Sequence, residues 1–192
     1  PGADKEYAEL VEAFDEETAQ YRDADAKVAA LLPDESPLHA RFLAAAMRHE
    51  GSQKSLPFLG WLLQNAPRNA EVHDAAVEAL DAMARKVRKP RSRREKKEKE
   101  AYTESRKAVS KLRSNTVSDE VFARTLLNAK VLAHSAENEG IRKASAQSVF
   151  KLERLQVGMV APDIVGNDLD GVEFSLSDYR GKVVVIDFWG DW

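Results

Sequence analysis

The sequence predicts a mainly α-helical chain followed by a short, incomplete α/β part. Over residues 1–155, apolar side chains recur at spacings of three, four and seven between helix caps and Pro or Gly stops. From Val157 onward the composition changes to Gly, Asp and Pro with short β-type runs. A continuous apolar run over residues 183–189 then resembles a strand that is covered on both faces of an α/β sheet. We therefore predict a helical region over 1–155 and a second domain over 156–192.

Composition excludes several classes of protein. The 192 residues are 43% hydrophobic and 32% charged, as in globular proteins, and no run approaches the roughly 18 apolar residues of a membrane span. Cysteine is absent, which excludes a disulfide framework and a cysteine nucleophile within these residues. We predict no metal site and no cofactor, because no two histidines show the i, i+4 spacing of metal ligands: the four are His39, His49, His73 and His134.

The first four predicted helices are separated by strong stop signals. Periodicity predicts a helix over residues 4–32, which Pro33 ends. A Ser-Pro cap signal predicts a second helix that begins at Pro37 and stops at Gly51. A third apolar segment follows, and Asn69 caps a fourth helix. The apolar positions assigned to the core are Tyr7, Leu10, Val11, Phe14, Tyr21, Val28, Leu31, Leu32, Leu38, Phe42, Leu43, Met47, Val72, Ala76, Leu80, Met83 and Val87.

Short helices joined by proline turns are typical of antiparallel helical hairpins. Pro33 and Pro67 lie in similar turns and are 34 residues apart, which equals the tetratricopeptide period. Ordinary helical bundles contain such turns too. A tetratricopeptide-like solenoid and a simple bundle are therefore both compatible with the sequence.

Charge is segregated along the chain. Residues 85–113 contain fourteen Lys or Arg against four Glu, a balance of +10, so the rest carries about −13 to reach the net −3. Apolar side chains almost vanish over residues 88–101, which predicts a segment that buries no face: a solvated helix, a linker or a partly disordered stretch. Contact with nucleic acid or an anionic membrane is the alternative. The interleaved glutamates and the single ring of Tyr102 disfavour nucleic acid.

Two more helices and a hairpin complete the predicted elements. Thr116 or Ser118 caps one helix, and the other follows residues 139–140. An Asp-Gly pair at 170–171 predicts a hairpin turn, and Ser177 is predicted to cap a single helical turn. The core positions assigned to the two helices are Val121, Phe122, Leu126, Leu132, Ile141, Ala144, Ser148, Leu152 and Leu155.

Residues 158–192 carry an ordered series of motifs. They are Gly-x-x-Ala-Pro-Asp at 158–163, the Asp-Gly turn, the string SLSDYRGK at 175–182 and the apolar run at 183–189. The series resembles the start of the redoxin branch of thioredoxin-like proteins, namely the peroxiredoxin-type antioxidant enzymes and the extracytoplasmic thiol-disulfide oxidoreductases. Ile164 replaces a common Phe, and Gly190-Asp191 replaces a small residue followed by Thr or Glu.

The resemblance implies a redox site directly after the last residue. In that family the strand leads into a Trp and then into Cys-x-x-Cys at a helix N-terminus, where the helix dipole favours the thiolate. Trp192 stands at the Trp position, so we expect the first catalytic cysteine to follow it. The resemblance makes Asp187 the proton acceptor for the second thiol and places Trp189, Gly190 and Trp192 beside the site. Alternatively, Asp187 is an ordinary hydrogen-bonded strand residue and the tryptophans belong to the core.

Two functional hypotheses follow. The first is a parent protein that reduces protein disulfides or peroxide, outside the cytoplasm by family resemblance, with the helical region docking a partner. Without cysteine, residues 1–192 are expected to be redox-inert. The second is a non-catalytic helical interaction module whose basic segment contacts nucleic acid or an anionic membrane.

Overall fold

The computed structural model describes residues 2–22, 37–87, 95–112, 117–156 and 159–187. These residues are mostly helical, with one small two-stranded sheet. The chain divides into two units, Pro1–Val160 and Ala161–Trp192. In the described parts of the first unit the helices are α1 (Ala3–Arg22), α2 (Pro37–Arg48), α3 (Leu56–Asn65), α4 (Ala70–Lys86), α5 (Glu95–Leu112), α6 (Asp119–Ser135) and α7 (Glu139–Arg154), with a 3₁₀ turn at Gln53–Ser55.

The predicted helix boundaries are largely confirmed. Helix α2 begins at Pro37, and Gly51 follows its end with φ of +74°. The Asn69 side chain accepts a hydrogen bond from the Val72 amide at 3.4 Å, and Ser118 caps α6 in the same way. The helix predicted over 4–32 is described only as far as Arg22, and Thr116 also lies outside the described residues. Asn138 caps α7, which the sequence analysis did not predict.

Helix α3 lies at the centre of the helical unit. Its sequence, LPFLGWLLQN, is apolar on every side, and helices α2, α4 and α6 pack around it. The Trp61 ring of α3 meets the Phe14 ring of α1 edge to face, with 4.8 Å between centroids. Gly60 lies directly against the backbone of Asp119 at the start of α6. Because Gly60 has no side chain, the two helices can approach at backbone distance.

Four positions assigned to the core are exposed instead. Val87 and Leu155 are 48% and 51% exposed because each lies one residue beyond the end of its helix. Met47 and Val121 are 41% and 48% exposed, and both lie in terminal turns, where fewer neighbouring helices cover the side chain. The remaining large apolar positions of these faces are mostly buried, among them Leu10, Leu38, Phe42, Leu80, Leu126, Leu132, Ile141 and Leu152.

The described part of the basic segment, helix α5, is docked on the helical unit by one face. Glu98 is 2% exposed, and its carboxylate accepts a hydrogen bond from the Asn138 amide at 3.0 Å. Tyr102 packs near Ile141, while Val109 packs on the main core. The prediction that residues 88–101 bury no face is therefore wrong for residues 97–101, because Glu98 is buried and Ala101 and Tyr102 of the same helix are partly buried. The inward side chains are few, but they recur at helical spacing: Glu98, Ala101, Tyr102, Val109 and Leu112.

The second unit contains a hairpin of β1 (Val165–Asn167) and β2 (Glu173–Ser175) in antiparallel register, with Gly166 opposite Phe174. The predicted Asp-Gly turn is confirmed, and Gly171 has φ of +80°. A 3₁₀ turn over Leu176–Tyr179 follows. Its cap is Ser175, not the predicted Ser177, because the Ser177 hydroxyl is engaged elsewhere in the unit.

Candidate functional site

Asp163 joins two of the motifs that carry the family resemblance. Its carboxylate accepts hydrogen bonds from the Ser177 amide at 2.9 Å and from the Ser177 hydroxyl at 2.8 Å. These bonds lower the pKa of Asp163 below its usual value. The Leu176 amide also donates to the Ile164 carbonyl at 2.9 Å. The Ala-Pro-Asp segment and the SLSDY segment therefore form one local unit, which gives a physical reason for their spacing.

The hairpin between these motifs is stabilised by its own side chains. The Asp168 carboxylate accepts from the amides of Asp170 and Val172, at 2.9 and 2.8 Å. The Asp178 carboxylate accepts from the Ser175 amide at 2.8 Å and completes a capping box. All of these contacts are local in sequence, so this unit forms with few long-range contacts of its own.

The apolar run after the motifs is not enclosed. Val183, Val184, Val185 and Ile186 are 98%, 42%, 90% and 45% exposed, and residues 183–187 form no strand in the part of the chain that the structure describes. A strand needs neighbours to pair its amides and to cover its faces. Among the described residues, residues 183–187 therefore lack the neighbouring strands and helices that the prediction of a strand buried on both faces requires.

The predicted redox-site residues lie at the edge of the described chain. Asp187 is exposed, and Trp189, Gly190 and Trp192 lie outside the described residues. The roles that the resemblance implies for these four residues stay predictions.

A buried ion cluster, which the sequence analysis missed, links three helices of the first unit. Lys130 of α6 is 2% exposed, and its ammonium lies 2.6 Å from Asp81 of α4 and 2.5 Å from Glu153 of α7. His134 approaches Asp81 at 3.4 Å, and Arg85 approaches it at 4.0 Å. We name this group the Lys130 cluster. No sequence signal marks it, because its members are 49 and 23 residues apart along the chain.

The electrostatics of the Lys130 cluster favour a structural role. Burial opposes ionisation of Asp81, but hydrogen bonds and charges from Lys130 and His134 outweigh it and lower the pKa. Burial raises the pKa of Glu153, although Lys130 acts in the opposite direction. The Lys130 side chain is buried and held between two carboxylates, so it is not accessible to a substrate. The cluster joins α4, α6 and α7 and contains no free catalytic base.

A second, partly buried contact joins α1 to the start of α6. The Tyr7 hydroxyl donates to the Asp119 carboxylate, and the Gln64 side-chain amide donates to the same carboxylate at 2.5 Å. Burial raises the pKa of Asp119 and also that of Tyr7. Both groups lie beside the close approach of Gly60.

The four histidines do not form a common cluster. His39 and His73 are each 4% exposed, whereas the His134 side chain is 42% exposed. Across the described ranges, no three potential ligand side chains are grouped so as to hold a metal ion. Within the same ranges no helix is long and apolar enough to cross a membrane.

Comparisons with known proteins match only a short stretch of this chain. No family model matches it, and no solved structure matches it. Local matches covering about a fifth of the chain are to thiol-disulfide oxidoreductases, and they support a relation to the thioredoxin-like redoxins.

The matched relatives carry the name thiol-disulfide oxidoreductase ResA. The protein of Geobacillus thermodenitrificans is 58% identical over 36 residues, and that of Geobacillus kaustophilus is 61% identical over 36. Each match covers 19% of this chain and 21% of the relative. The protein of Bacillus thuringiensis subsp. konkukian is 43% identical over 42 residues, with 22% and 24% covered. The chain thus spans less than a quarter of the length of these relatives.

Proposed function

We propose that this chain is part of a redoxin-type thiol-disulfide oxidoreductase that acts on protein disulfides or dithiols. The observation that carries the proposal is the 58–61% identity to two such proteins over 36 residues. We assign the match to the C-terminal stretch, because the redoxin motifs lie there. The hydrogen bonds between Asp163 and Ser177 support the assignment, since they join two motifs of that series.

In this proposal residues 156–192 open a thioredoxin-like domain and residues 1–155 are a helical region that docks a partner. The exposed apolar side chains of residues 183–186 support the first part, because a surface of this kind is normally covered by further structure. The family resemblance places the catalytic cysteines after Trp192, Asp187 beside them, and the whole protein outside the cytoplasm.

The proposed chemistry is thiol-disulfide exchange. The first cysteine thiolate attacks one sulfur of the substrate disulfide, which forms a mixed disulfide and expels the other substrate sulfur as a thiolate. The second cysteine then attacks the mixed disulfide, so that the substrate leaves as a dithiol and the enzyme cysteines become oxidised. Asp187 would accept the proton of the second thiol. An external dithiol restores the reduced enzyme.

The first test reads the gene beyond the codon of Trp192. We expect a cysteine within the next four codons, in a Cys-x-x-Cys pattern. The protein encoded by the extended frame should then reduce insulin disulfides with dithiothreitol, whereas residues 1–192 alone should not. A frame without cysteine, or an extended protein without turnover, would contradict the proposal. Consumption of peroxide in place of insulin reduction would move the protein to the peroxiredoxin-type branch.

The role of Asp187 is tested in the same protein. Asp187→Asn should slow insulin reduction by about 100-fold, in line with the usual contribution of a proton-transfer group. Asp170→Asn, in the hairpin turn of the same unit, is the matched control and should leave the rate unchanged. Equal rates for wild type and Asp187→Asn would make Asp187 an ordinary strand residue.

A second candidate function rests on the outward face of α5. Lys97, Arg106 and Lys107 are exposed on this helix while its other face is docked, so a fixed basic surface is presented to solvent. We propose contact with an anionic membrane as its role in a non-catalytic module. Binding of residues 1–192 to vesicles of anionic lipid should fall steeply with salt. Negligible binding at low salt would dismiss this role, and binding to duplex DNA instead would favour nucleic acid.

A further inference from the structure

Two buried histidines lie near the first turn of α4. His39 of α2 lies with Nδ1 3.4 Å from the Asn69 side-chain nitrogen, and its ring centroid is 5.8 Å from that of Trp61. Asn69 caps α4, and the His73 amide donates to its carbonyl at 3.0 Å. Asn69 therefore contacts the His39 ring through its side chain and His73 through its backbone carbonyl.

The surroundings of both rings disfavour a positive charge. Each histidine is 4% exposed, and the His39 ring lies beside the N-cap residue of α4, where the helix dipole repels cations. Burial lowers the pKa of both histidines below the usual 6.5.

Few charged groups face the two rings. Glu17 of α1 acts on His39 and favours its charged form, but burial outweighs it. His73 has Asp74 of its own helix 3.7 Å from Nδ1, while Arg154 of α7 opposes its protonation and itself binds Asp74 at 2.8 Å. The Nε2 atom of His73 is buried and has no hydrogen-bond partner among the described residues. A proton added at Nε2 would therefore stay without a partner.

A groove of about 650 Å³ lies beside this turn. Its walls come from α2 and from the start of α4, and it is lined by Pro37, Ala40, Leu43, Ala44, Met47, Asn69, Glu71 and Val72. The residue that contacts both histidines, Asn69, is thus also part of the groove wall.

We propose that His39, which joins α2 to Asn69, forms an acid-sensitive latch that holds the first turn of α4 against α2 at neutral pH and releases it on acidification, which widens the groove. Buried His73, in the same part of α4, adds a second group whose protonation disfavours the closed state. The linkage has a definite sign. The closed state favours neutral imidazoles, so the open state binds more protons once the pH falls below 6.5. The latch is therefore fully closed above that pH and is lost as the pH falls. This inference is independent of the proposed redox function.

Hydrogen exchange at the two amides bound to Asn69, those of Val72 and His73, tests the latch in residues 1–192. Protection factors corrected for intrinsic exchange rates should fall between pH 7.5 and 5.5, by up to about tenfold per pH unit for each titrating histidine. The amides of Phe122 and Ala136, bound in α6 at 3.0 Å each, should keep their protection. Equal protection of the Val72 and His73 amides at the two pH values would overturn the proposal.

Histidine variants separate the latch from general acid unfolding. His39→Gln and His73→Gln should each weaken the pH dependence of exchange, whereas His134→Gln, at an exposed site, should leave it unchanged. Because a buried variant can fail to fold, the imidazole resonances of the wild-type protein are titrated as well. His39 and His73 should titrate below 6.5. Titration of both rings at or above 6.5, or an unchanged pH dependence in folded buried variants, would overturn the latch.

Discussion

At the scale of single residues, Gly60 controls how closely α3 and α6 can approach. An ideal Cβ at this position would overlap the carbonyl oxygen of Asp119, which is backbone and cannot rotate away. We expect Gly60→Ala to lower the free energy of unfolding by about 1–3 kcal/mol, as overpacking of a core does. Urea denaturation measures the change. Gly2→Ala is the control, since no atom lies within 4 Å of the added methyl group, and equal stabilities for the two variants would contradict the prediction.

Asp163 is the corresponding residue of the second unit. Asp163→Ala removes both acceptors of Ser177, and Asp163→Asn retains one oxygen for the amide but loses the second acceptor. We therefore expect exchange of the Ser177 amide to be fastest in the Ala variant, intermediate in the Asn variant and slowest in wild type. Hydrogen exchange followed by NMR gives the order. Asp170→Asn should not alter it, and an Ala variant that exchanges like wild type would show that the carboxylate is dispensable.

At the scale of elements, the Lys130 cluster fastens α4, α6 and α7 to each other. Lys130→Met leaves Asp81 and Glu153 close together without their cation, so we expect a loss of about 3–5 kcal/mol in the free energy of unfolding. Adding Glu153→Leu removes one of the stranded carboxylates and should recover part of that loss. Urea denaturation of the single and double variants measures both effects.

A surface ion pair provides the control for this prediction. Lys143 pairs with Glu139 at 2.8 Å, but its side chain is 74% exposed, so Lys143→Met should change stability by no more than about 0.5 kcal/mol. If Lys130→Met were as mild as Lys143→Met, the buried cluster would contribute little to the fold.

At the scale of the whole molecule, the two units differ in how much of their apolar side-chain surface is exposed. The helical unit buries most of its large apolar residues, whereas in the second unit Val183 and Val185 are 98% and 90% exposed. An exposed apolar run of extended backbone is a template for pairing with other chains. We expect residues 1–192 to self-associate with rising concentration and Val183→Lys with Val185→Lys to reduce this. Light scattering on size-exclusion chromatography measures it.

Val121→Lys is the control for self-association. Val121 is a single exposed apolar residue of α6, 48% exposed, and its replacement should leave association unchanged. A wild-type protein that stays monomeric at high concentration would contradict the prediction.

Much of the helical unit could be predicted because its signals are local. Caps such as Asn69 and Ser118 act on amides three residues away, and the stop at Gly51 depends on one backbone angle. The hairpin turn at Gly171 is local in the same way. The hairpin architecture of the helices, with the tetratricopeptide alternative, stays a prediction. The exposure of the Met47 and Val121 side chains could not be predicted, because it depends on how far the neighbouring helices extend.

Several helix boundaries, the Asp-Gly hairpin and the redoxin motifs could be read from the sequence alone, since each depends on residues within a few positions of one another. The packing of the helices was needed to show that α5 is docked, that Lys130 is buried between two carboxylates and that the His39 ring lies beside the start of the helix that carries His73. These arrangements join residues that are tens of positions apart in sequence. They exist because helices pack around α3, and the sequence pattern of any one helix does not say which side chains its neighbours will bring to it.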